Sequence, residues 1–406
     1  MPTKLLLSSC VALIAFSTVA AAEPKKLTVH EWGVFRVHES EAMANADLRA
    51  LWDSLPEFVY GHIRGRLVPQ HWGAVEIRDR PILFFHATQP AHFTLKIDFP
   101  GGMPGVWWPA TQEPAIIANA KQPAVGKLLQ WEVSVKQPHA QWFAQNVQQK
   151  MVDKGHWFSR LRDVKADDIF VRFGPGGHYV QREKFIYYDG LFPQGKWVKI
   201  DVEKENVTLT NRVKHAVFDV TVIDARNEGK IRVGRLDKLD AGAKDAKVVF
   251  ENVDASRFAS EASETLTKQL VAAGLFEDEA KSLVDLWRKE MFETPGLHAF
   301  YRLPREEYDR LLPLTMTPKI ADEIVRVGLI YHGHLEPDLP ERIAELVRQL
   351  DSERFAVRDA AKKKLLAYGP SALVYLRKLT KTELSAEVWK QVETLIKQWH
   401  AREAFE

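Results

Sequence analysis

The most constraining feature of this chain is a two-residue alternation of apolar and polar side chains. Phe93, Leu95, Ile97 and Phe99 are separated by Thr94, Lys96 and Asp98. An extended backbone turns such a set onto one face, whereas a helix would scatter it around the axis. Trp131, Val133 and Val135 repeat the pattern against Glu132, Ser134 and Lys136, and Phe218, Val220 and Val222 repeat it again. Each of these segments needs a sheet, and the apolar face of each sheet needs a covering layer. Residues 81–85, PILFF, are apolar without alternation and predict a strand covered on both faces. Pro100-Gly101-Gly102 and Gly174-Pro175-Gly176-Gly177 are turn sequences that separate the runs. Short helices are expected at residues 43–54 and 139–152. Residues 23–254 therefore read as a β-rich, sandwich-like domain, predominantly antiparallel.

The pattern changes downstream. Ala280, Leu283, Val284, Trp287 and Met291 recur at helical spacing. Residues 297–303 then read as a strand, Pro304 as a helix opener, and residues 324–335 as a strand able to return to the first sheet. Residues 255–336 thus form a mixed α/β segment expected to pack on the β domain. From residue 339 to 406 everything is helical. Ile343, Leu346, Val347 and Leu350 form one stripe, and Val388, Val392, Leu395, Ile396 and Trp399 form another. Between them a helix stops at Gly369 and restarts at Pro370. Helix pairs with short joints are the unit of α-solenoids, but only about two pairs fit, so this module is expected to lean on its neighbour. The predicted class is α+β with a C-terminal helical repeat.

The first twenty-two residues are expected to be a signal peptide. MPTK carries one basic residue, LLLSSCVALIAF is apolar, and STVAAA supplies small residues for cleavage after Ala22. The apolar run is shorter than the roughly 20 residues of a membrane span, and no later segment qualifies. Cleavage removes Cys10, the one cysteine, so disulfides, thiolate metal sites and a cysteine nucleophile all fall away. It also removes Lys4, leaving 55 Lys and Arg against 54 Asp and Glu. So balanced a charge draws the chain to neither nucleic acid nor anionic lipid. A secreted or periplasmic protein is expected.

Three stretches together resemble a family. VHEWGVF, RPILFFHATQPAHFTLKIDFPGG and GLHAFYRLPREEYDRLLPL are similar to an uncharacterised family of secreted bacterial proteins with an N-terminal HEWG signature. The resemblance runs over most of residues 27–335. SERFAVRDAAKKKLLAYGPSALVYLRKL resembles a HEAT-like repeat. The resemblance implies a domain order and an extracytoplasmic role, and no chemistry.

His30 and Glu31 of the HEWG stretch invite comparison with a zinc-protease helix, but the second histidine of His-Glu-x-x-His is replaced by Val34. The parity of Leu27, Val29, Phe35 and Val37 is that of a strand, so His30 and Glu31 are expected on opposite faces unless a bulge near Gly33 re-aims one of them. His332 and His334, in GLIYHGHLEP, form a His-x-His that a strand would turn to one side, as many metal sites require. His30 or Glu31 would add a third ligand for a divalent metal. The same histidines also fit a solvated sheet edge. Asp167-Asp168 fits a turn before the IFVRF strand better than a glycosidase pair. Trp107 and Trp108 offer ring stacking to a carbohydrate, or simply core. No Gly-x-Ser-x-Gly elbow, Walker loop or GxGxxG is present.

On sequence alone the favoured reading is an extracytoplasmic binding or scaffolding protein. Its helical repeat would contact another extracytoplasmic protein or a cell-envelope polymer. A metal-dependent secreted hydrolase is the alternative, and carbohydrate binding a weaker one.

Overall fold

The computed structural model describes residues 26–38, 55–61, 75–111, 118–119, 122–123, 128–136, 147–193, 197–227, 229–376, 379 and 384–402. Its class is α+β with mostly antiparallel sheets. The strand Leu27–His38 occupies the middle of a ten-stranded sheet. On one side it pairs in parallel with Glu323–His332, followed by Gly296–Arg302, Val217–Asn227, Lys230–Leu239 and Glu251–Val253. On the other side it pairs antiparallel with Val75–Ala87, followed by Phe185–Pro193, Met103–Trp108 and Tyr60–Gly61. A six-stranded sheet contains the strongly alternating segments, with Ala91–Asp98 beside Leu128–Val135.

Side-chain parity divides the core as the alternation requires. Leu27, Val29, Phe35 and Val37 point between the two sheets, where they meet Leu95, Ile97, Trp131 and Val133. Trp32 and Val34 point the other way, into a second core shared with Phe258, Leu266, Leu283, Val284 and Trp287. Those last five residues belong to the helices Ala255–Ala272 and Glu277–Arg288, which cover the outer face of the large sheet. The central strand is therefore buried on both faces, and residues 81–85 are buried throughout. Each large side chain removed from water in this way contributes roughly 1.5–3 kcal/mol.

Gly33 marks the one irregularity in the central pairing. The register with Val75–Ala87 slips between Trp32 and Val34, so Arg80 and Pro81 stand opposite a single glycine. A Cβ on Gly33 would lie 3.0 Å from the Pro81 Cα. The bulge lies in the partner strand, and it leaves His30 and Glu31 on opposite faces.

Several local expectations shift. Residues 43–54 lie outside the described residues, as do 139–146. Val147–Gln148 is a short strand and 149–152 are not helical, so the amphipathic spacing there yields to edge pairing with Tyr179–Glu183. Pro304 sits as the N-cap of the helix Arg305–Leu311. The strand expected to reach residue 335 ends at His332. The C-terminal helices Leu339–Gln349, Phe355–Ala367, Pro370–Leu376 and Ala386–Arg402 bury Ile343, Leu350, Leu365 and Val392 in a core of their own. Among the described residues no helix is long and apolar enough to cross a membrane.

A candidate metal centre

His30 and His86 stand side by side on the outer face of the large sheet. His30 lies opposite Phe84, and His86 lies opposite Thr28. The two histidines are therefore diagonal neighbours across an antiparallel pair, and their ring centroids are 5.2 Å apart. The third member comes from above. Glu279 is the third residue of the helix Glu277–Arg288, where a carboxylate can turn back to the exposed backbone N–H groups of the first turn. Its Oε2 accepts the Phe276 N–H at 3.0 Å.

That helical position aims Glu279 at the histidine pair. His30 Nδ1 lies 2.6 Å from Glu279 Oε2, and His86 Nε2 lies 2.8 Å from Oε1. An ionised carboxylate only accepts, so both imidazoles donate. Burial works to raise the Glu279 pKa, but the hydrogen bonds from His30 and His86 outweigh it and hold the group below the usual carboxylate range. His30 and Glu279 are buried, while His86 is partly open to solvent. The Phe276 ring lies 4.6 Å from each imidazole and is 47 % exposed, so it forms the outer wall of the cluster.

Two imidazole nitrogens and one carboxylate oxygen here lie within 4.8 Å of one another. Donors that share one ion at about 2.1 Å lie no more than about 4.2 Å apart, so movements of less than about an ångström would close the set. Two nitrogens and one oxygen suit zinc, iron(II), manganese, cobalt or nickel, and three protein ligands leave positions for water or substrate. Among the described residues this is the single group of three such side chains.

Glu31 belongs to a different environment. It points between the sheets, where its Oε2 accepts Arg326 Nε at 2.6 Å and its Oε1 accepts the hydroxyls of Tyr308, at 2.8 Å, and Tyr188. Burial opposes the Arg326 charge, but Glu31 outweighs it and raises the guanidinium pKa above its ordinary value. Burial and the neighbouring Glu31 charge raise the Tyr188 pKa, so that hydroxyl keeps its proton. Arg326 also donates to Asp309 Oδ1 and the Leu312 carbonyl. Glu31 is thus fully engaged inside the fold and is not a neighbour of the His30 set.

The expected His-x-His pair is also separated. His332 ends its strand facing the inter-sheet core, 3.4 Å from the Tyr301 hydroxyl, and burial pushes its pKa down to about 4, so the ring is neutral. His334 lies beyond the strand with a left-handed φ of 54°. That turn carries its ring to the other side, 5.0 Å from the His298 ring. The structure therefore joins His30 to His86 and Glu279, and does not bring His30, Glu31, His332 and His334 together.

Trp107 and Trp108 are buried, which corrects the stacking surface expected there. Trp108 packs on Tyr60 and Phe58 and donates Nε1–H to Glu183 at 2.9 Å. Asp167 and Asp168 do precede the Ile169–Phe173 strand. They bind the Ala87 N–H and the Arg182 guanidinium respectively.

His86 and Glu279 were not singled out from sequence. The available signal for His86 was parity: it follows Ile82 and Phe84 on one face of an obvious strand. Glu279 offered only a glutamate in a helical first turn, with no serine or threonine N-cap to mark it.

No family model matches this chain, and no curated protein matches it. Among solved structures it is similar to the zebrafish (Danio rerio) "Fcho1 Mu homology domain with bound Eps15 peptide", with 5% sequence identity. The alignment covers 77% of this chain and 95% of that one at a TM-score of 0.27. A likeness that distant carries no argument about function.

Proposed function

We propose that this protein is an extracytoplasmic metal-binding protein that holds a divalent transition ion on His30, His86 and Glu279 and uses it for hydrolytic chemistry. The observation that carries the proposal is the convergence of these side chains from three separate elements onto one point beside the surface. The apolar leader at residues 1–22 supports the location. His30, His86 and Glu279 would hold the ion, which when bound would supply Lewis-acid polarisation of a water or a substrate carbonyl. Glu279 would bind through one oxygen, with the Phe276 N–H helping to fix its orientation. Each histidine would present a lone pair after moving its proton to the other ring nitrogen or releasing it, so affinity should fall as pH drops.

Equilibrium dialysis against Zn²⁺, followed by elemental analysis, tests the reading. The expected result is that Glu279→Gln and His86→Ala each bind one ion fewer per chain than wild type. Equal metal content in wild type and both variants would overturn it.

A second reading keeps the helical unit as a contact module. It is supported by that unit's separate core and by Phe355, which is 73 % exposed at the start of its helix. In this reading the unit is a HEAT-like repeat that engages another extracytoplasmic protein or an envelope polymer. Deleting residues 339–406 should then abolish partner capture while zinc is still held by His30, His86 and Glu279.

A further inference from the structure

Where the last strand of the large sheet gives way to the helical unit, two buried polar atoms face each other without a hydrogen bond. They are His334 Nδ1 and Glu336 Oε1, which lie 3.6 Å apart. The side chain of His334 is 8 % exposed and that of Glu336 is 0 % exposed. Buried polar atoms are nearly always satisfied, and an unsatisfied facing pair points to an ion or water between them.

Three further observations show that this pair is built. His334 holds a left-handed φ of 54°, a conformation that disfavours a side-chain-bearing residue by roughly 1–2 kcal/mol. Only that turn directs the ring toward Glu336 and away from its strand. Gly296, at φ 120°, lets the backbone run directly against the pair, since a Cβ there would stand 2.7 Å from Glu336 Oε1 and 3.1 Å from His334 Nδ1. The surroundings then hold both groups in place. Glu336 Oε2 accepts the Leu297 N–H at 2.8 Å, and the His334 N–H donates to His298 Nδ1 at 3.3 Å. Tyr368, at the end of a C-terminal helix, packs on the His334 ring at 5.6 Å.

We infer that His334 and Glu336 form a second divalent-cation site, separate from the His30 set and located at the joint between the sheet and the helical unit. Two donors at about 2.0–2.2 Å from one tetrahedral ion lie about 3.3–3.6 Å apart, and the observed separation falls at the upper end of that span. The chemistry also fits. With the His334 proton on Nε2, Nδ1 presents a lone pair to the Glu336 carboxylate, and a cation satisfies both acceptors in place of the proton that otherwise pairs them at 3.6 Å. His298 is not a ligand, because its Nε2–H points to the Thr294 and Pro295 carbonyls and its Nδ1 already accepts the His334 N–H. Water would fill the remaining positions of the ion.

The test uses the full chain with Zn²⁺ or Co²⁺ as the probe. Glu336→Gln keeps an acceptor for the Leu297 N–H, and both it and His334→Ala should bind one Zn²⁺ fewer than wild type. The Glu279→Gln protein retains this site, so its Co²⁺ complex should show visible absorption of tetrahedral intensity. That absorption should vanish in Glu279→Gln/Glu336→Gln. Wild-type stoichiometry in both His334→Ala and Glu336→Gln, or a colourless Co²⁺ complex of Glu279→Gln, would overturn the inference and show that the pair holds only a proton. Neither result bears on the His30 set, whose failure would appear as unchanged stoichiometry in His86→Ala.

Discussion

His30 and Glu31 are adjacent in sequence but belong to opposite sides of the large sheet: His30 donates to Glu279 on an outer helix, and Glu31 accepts from Arg326 between the sheets. Each partner lies far away in the chain, at separations of 249 and 295 residues. The central strand thus connects the candidate metal centre to a buried ion pair through one peptide unit. The two faces should respond independently to substitution.

Glu31→Ala would leave the Arg326 guanidinium buried with its main charge partner gone. Removing one member of a buried pair destabilises by about 3–5 kcal/mol. Urea denaturation should show that loss, while Zn²⁺ stoichiometry in the folded variant stays at the wild-type value. A metal deficit matching that of His86→Ala would mean the faces are coupled.

Gly33→Ala tests the bulge. The added methyl meets the Pro81 backbone at 3.0 Å, and neither strand can withdraw because both sit inside the sheet. Overpacking of this kind lowers stability by about 1–3 kcal/mol. A midpoint of denaturation equal to wild type would show that the strands separate freely there.

Asp224 gives a pH dependence of known sign. Burial tends to raise its pKa, but hydrogen bonds from Arg226 and Arg232 outweigh burial and lower it from 3.8 to about 2. A group with a depressed folded-state pKa stabilises the fold fully above its unfolded value, and that contribution disappears as pH falls through the folded value. The stability gap between wild type and Asp224→Asn should therefore narrow between pH 4 and pH 2. The pKa-linked part is at most about 2 kcal/mol, because Arg232 is a quarter exposed and solvent screens its share. A gap that widens on acidification would contradict the assignment.

Leu365→Ala should destabilise the helical unit selectively. Leu365 is fully buried in that unit's own core, and such truncations lose about 2–5 kcal/mol. Hydrogen exchange should rise in residues 339–402 and remain slow in the central strand Leu27–His38. Uniform loss of protection across both would show that the two cores unfold as one.

The sequence by itself determined several of the strands and which side their side chains face. The alternation in residues 93–99 and 131–135 and the parity of residues 27–37 depend only on the geometry of an extended chain, which a local pattern fully expresses. The opposed directions of His30 and Glu31 follow from the same rule, as does the buried stripe of Ala280, Leu283, Val284 and Trp287 from helical spacing. The His-x-His expectation failed at His334 because strand parity holds only while the backbone stays extended. Its chain leaves the strand after His332, where Gly333 is the available local signal, and turns left-handed at His334. Only the tertiary structure decided what His30 meets. Parallel pairing of Leu27–His38 with Glu323–His332, diagonal placement of His86, and docking of the Glu277–Arg288 helix are non-local events. They are selected by burial of two faces at once, so the ligand set exists only after the sheet has closed and its helices have packed.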